Sequence, residues 1–224
     1  MRKLSALAAL LLLFALCLGA AAETSPEREA LEAFMLACFG SEYGPDHPLT
    51  RWEQPIRLSL EGSPTPEDRA FAQAFIDQLN DRVAGFPGIS LVGALGRPNV
   101  RVSYAPLDSL HRYVEGYVSG NWGYFSYWYE DYRMTKAQIG LASDAANQQQ
   151  RNHLFMEELV GALGLAKDID SHPESIVYQP WTETQQLADI DWLMLNYLYH
   201  PRLSPGMSAD EAHDLLTGLL EDKP

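Results

Sequence analysis

The chain has 224 residues, of which 46% are hydrophobic and 21% are charged, and its formal net charge is −14. A surface this acidic repels phosphate backbones, which argues against a nucleic-acid-binding function. The length suits one domain that is large enough to bury a hydrophobic core.

The first 22 residues have the order of features that is typical of a secretory signal peptide. A positive start at residues 1–3 is followed by an almost wholly apolar run at 4–18 and by three small residues at 20–22. Cleavage is expected between Ala22 and Glu23, which predicts a periplasmic or secreted mature protein. A membrane anchor is the weaker alternative, since a spanning helix needs about 20 apolar residues. Lipid attachment at Cys17 is weaker still, because bulky Leu16 precedes it.

Residues 23–224 are expected to form the mature domain. Arg2 and Lys3 leave with the signal peptide, so the net charge becomes −16. No later apolar run is long enough to span a membrane. Cys38 is the one cysteine that remains, so an internal disulfide is impossible. Its apolar neighbours predict a buried, unreactive thiol.

Hydrophobic periodicity, proline and glycine positions and capping residues predict the elements of this domain. In chain order they are a helix from Ser25 to about Phe39, strand 56–60, a helix from Thr65 to about Val83, strand 100–104, a short helix near 107–113, strand 134–142, a helix over about 147–163, and helices near 183–199 and 208–221. Because strands come early and helices late, the predicted class is α+β. The 147–163 helix is apolar on most sides and ends at Gly164, so we expect it to lie buried beneath a small twisted sheet.

Residues 121–132, NWGYFSYWYEDY, contain seven aromatic residues in twelve. One interpretation is a ligand platform for sugar or peptide, formed by Trp122, Tyr124, Tyr127 and Trp128. The other interpretation is an aromatic-rich strand or flap that packs on the core, and the composition favours it.

The segment Glu157-Glu158-Leu159-Val160-Gly161-Ala162-Leu163-Gly164-Leu165 resembles the active-site helix of metzincin-type zinc proteases, whose pattern is H-E-x-x-H-x-x-G-x-x-H. In that pattern two histidines on one helix face share a zinc ion, and the glutamate between them activates zinc-bound water. The resemblance puts Glu158 at the general-base position and Gly164 at the turn. It also puts Glu157, Gly161 and Lys167 where the three histidines belong, so the zinc ligands are missing.

The stretch 175–178, SIVY, is similar to the turn that carries a methionine in metzincins, with Val177 in place of the methionine. The helix that follows contains Asp191, as the corresponding metzincin helix contains an aspartate. The resemblance implies a metzincin-like scaffold.

A closer resemblance, over about residues 50–213, is to an exported bacterial family catalogued as domain of unknown function 2927. The residues that carry it best lie between 157 and 213, including the stretches at 191–195, 198–203 and 205–207. This family implies no established activity.

Two interpretations of the acidic residues stay open. Glu158 is either the general base of an unusual hydrolase or a carboxylate that holds a neighbouring loop through backbone N–H groups. His153 and Glu157 lie four residues apart on one helix face and, with Asp168 and His172, form an alternative metal set. The favoured hypothesis is a non-catalytic exported protein without a cofactor, which binds an envelope protein or peptide or has an envelope-associated role.

Overall fold

A computed structural model describes residues 25–40 and 45–222. The predicted signal peptide, residues 1–22, lies outside the described residues. Within them the chain forms five α-helices, five strands and two short 3-10 helices, Ala94–Gly96 and Leu107–Arg112. In chain order the main elements are α1 Pro26–Phe39, β1 Ile56–Gly62, α2 Pro66–Arg82, β2 Ile89–Leu91, β3 Val100–Ala105, β4 Gly123–Glu130, β5 Arg133–Ala142, α3 Gln148–Leu163, α4 Asp189–Leu198 and α5 Ala209–Glu221.

The five strands form one mixed sheet in the order β2-β1-β3-β5-β4. The first four of these strands run parallel to one another, and β4 is the antiparallel edge strand beside β5. Parallel strands must be joined by crossover segments, and α2 serves as the crossover from β1 to β2. The arrangement makes β4 an exposed margin of the sheet with a free outer edge among the described residues.

Helix α3 lies at the centre of the domain, as the sequence predicts. It packs against α2, β4 and β5, and ten of its residues are buried. Asn147 and Gln150 form a reciprocal capping box at its start. At its end, Gly164 adopts a φ of 131°, and a side chain there would collide with the carbonyl oxygen of Thr50.

The C-terminal helices form the second layer of the domain. Helix α1 packs against both α4 and α5, so the first helix of the described chain belongs to the same layer as the last two. The fully buried Cys38 lies on the inner face of α1. Burial raises the pKa of its thiol far above the ordinary range, which agrees with the expected unreactive thiol.

The class and most elements are confirmed: the described residues form one α+β domain with a small mixed sheet, a central helix and C-terminal helices. The helix expected from residue 183 is wrong over its first turns, since α4 begins at Asp189. Residues 183–185 instead hydrogen-bond with Gln149, Gln150 and Asn152 of α3. In the part of the chain that the structure describes, no helix is both long enough and apolar enough for a bilayer crossing.

Candidate functional site

A cavity of about 720 Å³ lies between β4, α3 and the segment that follows α3. Residues between 120 and 127 form one wall, residues of α3 between 150 and 161 form the floor, and residues between 165 and 181 form the other wall. This is the region where the sequence places both the aromatic stretch and the metzincin-like segment. The fold therefore brings the two candidate features into one site.

Alternate residues of β4 face α3. Gly123 lies so close to Oε1 of Glu158 that a side chain at residue 123 would displace the carboxylate. The ring of Phe125 covers Gly161, and it stacks on the ring of Tyr127 at a centroid distance of 6.2 Å. Burial raises the pKa of Tyr127 to about 12, so its phenol stays protonated.

The opposite wall is fixed by hydrogen bonds to a carboxylate in the core. Asp191 in α4 is fully buried and accepts bonds from the Ser175 hydroxyl at 2.5 Å and from the backbone N–H groups of Ile176 and Ala188. A parallel β-bridge between Ile169 and Tyr178 joins the two ends of the same segment. These bonds hold residues 168–179 in a fixed shape beside the cavity.

Desolvation dominates the electrostatics of Asp191. Burial raises the pKa of its carboxyl to about 6, against a partial opposing effect of its three hydrogen-bond donors. The group is therefore charged at neutral pH at a cost in folding free energy. The same buried carboxylate accepts the hydrogen bonds that hold the cavity wall in place.

His153 connects α3 to the rim of the cavity. It is 2% exposed, its Nδ1 lies 3.1 Å from the carbonyl oxygen of Thr184, and its Nε2 lies 3.4 Å from Oε2 of Glu157. Its ring also meets the ring of Trp181 edge-on at 5.3 Å. Burial lowers its pKa, so the imidazole is neutral at pH 7.

The residues at the three histidine positions of the metzincin pattern do not fit a zinc ion. Glu157 pairs with His153, and Gly161 has no side chain. A Cβ on Gly161 would lie 2.5 Å from Cε1 of Phe125, so an aromatic ring fills the space of the second ligand. The side chain of Lys167 lies against Gly40 at the end of α1. No step that uses zinc follows from this arrangement.

The alternative metal set is brought together only in part. His153 and Glu157 are in contact, and Asp168 lines the same cavity. His172 lies outside the lining and is 3.5 Å from Oε1 of Glu174. Among residues 25–40 and 45–222, no three His, Cys, Asp or Glu side chains are grouped so that they could hold a metal ion.

Three of the four aromatic residues of the expected platform line the cavity, and one does not. Trp122, Tyr124 and Tyr127 line the cavity. Trp128 does not, and the ammonium group of Lys136 lies 3.9 Å from the centre of its ring. The stretch is the aromatic-rich strand of the second interpretation and also supplies one wall of the cavity.

Two aromatic residues of the site are not among those that the sequence singles out. Phe125 faces α3 because side chains alternate along a strand, and an alternation counted from Tyr127 would have found it. Trp181 is 51% exposed and meets Trp122 edge-on at 5.9 Å. Seventeen residues without a helix or a strand separate it from the end of α3, so no periodicity places it at the rim.

Comparison with known families extends the resemblance that the sequence suggested. The family model described as "Protein of unknown function (DUF2927)" matches residues 27–218, which include every element of the fold from α1 to most of α5. A search of curated proteins found no match. Because the match covers most of the chain and the whole cavity lining, the chain belongs to the family of proteins of unknown function DUF2927.

Proposed function

We propose that this protein is an exported, non-catalytic binding protein, and that its cavity holds an extended peptide along the outer edge of β4. The observation that carries the proposal is the position of the 720 Å³ cavity, which opens beside an edge strand. Peptides bind such edges by adding a strand, with main-chain hydrogen bonds for affinity and pockets for alternate side chains.

The register of β4 supplies the main-chain groups for this mode. The carbonyl of Trp122 accepts a bond from Ala142 in β5 at 2.8 Å, so residues 122, 124, 126 and 128 bond inward to β5. The N–H and C=O groups of Phe125 and Tyr127 therefore point to the outer edge. Among the described residues no strand pairs with that edge.

A metzincin-like scaffold without its zinc set is the second part of the proposal. A central helix beneath a small mixed sheet, a glycine turn at Gly164 and a buried Asp191 that braces the following turn support it. On this proposal the substrate groove remains as a binding groove. Glu158 then braces β4 through its close approach to Gly123 instead of acting as a general base.

Export through the signal peptide at residues 1–22 completes the proposal and sets the kind of peptide expected. The partner is a segment of an envelope or secreted protein that is unfolded or extended. A protein with a mature net charge of −16 would meet it outside the cytoplasm.

The test begins with a library of acetylated and amidated nonapeptides, screened against the mature chain that starts at Glu23. The tightest peptide is then N-methylated at one amide at a time. We expect binding to fall when every second amide is methylated and to persist for the amides between, because alternate N–H groups face β4. Equal effects at all amides, or no peptide with a Kd below about 1 mM, would overturn strand addition.

The same mixtures test the alternative of a hydrolase that uses Glu158. Mass spectrometry of the bound peptides after long incubation, with and without added zinc, reports any cleavage. We expect intact peptides with the native chain and with Glu158→Gln. Cleavage that disappears in Glu158→Gln would establish the hydrolase instead.

A further inference from the structure

The outer edge of β4 lacks the side chains that usually keep an edge strand from pairing with another chain. Natural sheets use lysine, proline and other charged residues for this purpose, whereas residues 123–129 read GYFSYWY and include none of them. The first charged residue is Glu130, at the end of the strand. The pairing with β5 is regular up to a register shift between Trp128 and Tyr129. Most of the edge can therefore accept a second strand.

The sequence of β4 is complementary to itself when a second copy runs antiparallel to it. A two-fold axis through Ser126 places this serine opposite the same serine of the second copy. Phe125 then lies opposite Tyr127, and Tyr124 lies opposite Trp128, each twice by symmetry. Directly opposed aromatic residues and directly opposed serines stabilise antiparallel strands. An axis through Phe125 or Tyr127 would place Ser126 opposite an aromatic residue, so the axis through Ser126 gives the best pairs.

The same register also satisfies the outward main-chain groups of the edge. Phe125 and Tyr127 direct their N–H and C=O groups away from β5, so this opposed pair exchanges two hydrogen bonds. Ser126 takes a non-hydrogen-bonded position, where opposed Cα atoms lie about 4.5 Å apart. Because the axis is perpendicular to the sheet, the rings of Phe125 and Tyr127 from the two copies meet on one face.

The charge of the β4–β5 hairpin permits this contact between two acidic proteins. The chain has a net charge of −14, but residues 121–142 contain two acidic and two basic residues and are neutral as a unit. With the axis at Ser126, Glu130 lies opposite Trp122 of the second copy. The carboxylates at the hairpin turn therefore do not face each other, and the destabilisation by directly opposed like charges is avoided.

We propose that the outer edge of β4 pairs with the same edge of a second copy of this chain, with Ser126 on the two-fold axis. The two five-stranded sheets then form one sheet of ten strands. The peptide of the proposed function would use the same edge. In that one respect the inference rests on the proposed function, since it makes the dimer the peptide-free state and the peptide its competitor.

Sedimentation equilibrium of the mature chain tests the pairing, in a buffer with enough salt to screen the negative charge of the two copies. We expect the average mass to rise from one chain towards two between about 1 μM and about 1 mM. Ser126→Lys and Ser126→Glu should each weaken association at least about tenfold, because like charges then meet on the axis. An equimolar mixture of the two variants should associate again, since opposite charges face each other.

Ser126→Ala is the control for these variants. It removes the same hydrogen bond to the carbonyl oxygen of Glu115 without adding a charge, so it should associate like the native chain. Thermal melts of all variants check that each one folds. A mass of one chain at every concentration, or a mixture of the lysine and glutamate variants that stays monomeric, would overturn the proposal.

A disulfide tests the position of the axis directly. In Ser126→Cys the two opposed Cα atoms would lie within the range that a disulfide spans, so mild oxidation should link two copies. Ser90→Cys is the matched control, because Ser90 is exposed on β2 at the other edge of the sheet. Cys38 is buried and does not compete. Equal rates of cross-linking for the two variants would overturn the pairing at β4.

The nonapeptides separate this inference from strand addition by a peptide. If the chain dimerises through Ser126 and no peptide binds, the pairing stands and the peptide function fails. If peptides bind with alternating amide dependence and the chain is monomeric at every concentration, the peptide function stands and the pairing fails. If both occur, the peptide should convert the dimer to monomers. A strand-adding peptide that binds without dissociating the dimer would place the dimer contact elsewhere and overturn the inference.

Discussion

The contact between Phe125 and Gly161 makes a quantitative prediction about helix α3. A Cβ on Gly161 would lie 2.5, 2.7 and 3.1 Å from three carbons of the Phe125 ring. Optimal carbon–carbon contacts are about 3.5–4.0 Å, so Gly161→Ala overlaps the ring by roughly 1 Å. Overpacking of this kind costs about 1–3 kcal/mol.

The same substitution also has a favourable component, because alanine stabilises a helix interior relative to glycine by about 1 kcal/mol. In the native chain we expect Gly161→Ala to lower the free energy of unfolding by about 0–2 kcal/mol. In a Phe125→Ala background the overlap is gone, and the substitution should raise it by about 1 kcal/mol. The coupling between the two sites is therefore about 1–3 kcal/mol.

Urea unfolding of the four chains of this cycle, followed by circular dichroism and tryptophan fluorescence, measures the coupling. Gly218 in α5 is the matched control, because a Cβ there would meet nothing within 4 Å. Gly218→Ala should stabilise both backgrounds by about 1 kcal/mol. A Gly161→Ala effect that is the same with and without Phe125 would refute the claim that the ring fills the second ligand position.

Three further predictions concern the supports of the site and its export. Arg51 donates to the carbonyls of residues 198, 200 and 203 from a side chain that is 10% exposed. Arg51→Met should lower the free energy of unfolding by about 3–5 kcal/mol. Glu53→Gln, which removes the charge of its partner, should lower it by less than about 1 kcal/mol. Because the pKa of Asp191 is raised, its carboxyl binds a proton more tightly in the folded chain than in the unfolded chain. The free energy of unfolding should therefore fall by about 3 kcal/mol as pH rises from about 4 to about 6. Urea titrations at each pH measure this as a change in the difference in unfolding free energy between the native chain and Asp191→Asn. A flat difference would contradict the buried charge. N-terminal sequencing of the exported protein should begin at Glu23, and an intact N-terminus after export would contradict cleavage after Ala22.

Most of the fold could be predicted from the sequence because its signals are local. Helix caps such as Ser25, Thr65 and Asn147 satisfy backbone N–H groups next to them in the chain, and all three are found at helix starts. Strand β2 was missed because its three residues, Ile89–Leu91, are too few to show an alternation. Its place comes from pairing with β1, which is a long-range property.

The predicted start of α4 failed for a similar reason. Helical spacing continues upstream of Asp189, but residues 183–185 gain more from bonds to the glutamines at the start of α3 than from a helix of their own. The carboxylate of Asp191 then accepts from the N–H of Ala188 and fixes the helix start there. The cavity itself depends on both effects, since the same segment carries Trp181 to its rim.

The positions at which the metzincin pattern has histidines are occupied by other contacts, and this limits how a zinc site could be built there. Glu157 pairs with His153, the absence of a side chain at Gly161 admits the ring of Phe125, and Lys167 packs against α1. A chain with histidine at 157, 161 and 167 must therefore break the contact between His153 and Glu157, expel one aromatic ring and leave the end of α1 uncovered. Each of the three residues has a structural role, and Glu157 and Gly161 also line the cavity. Restoring the histidine pattern therefore has a structural cost at each of the three positions.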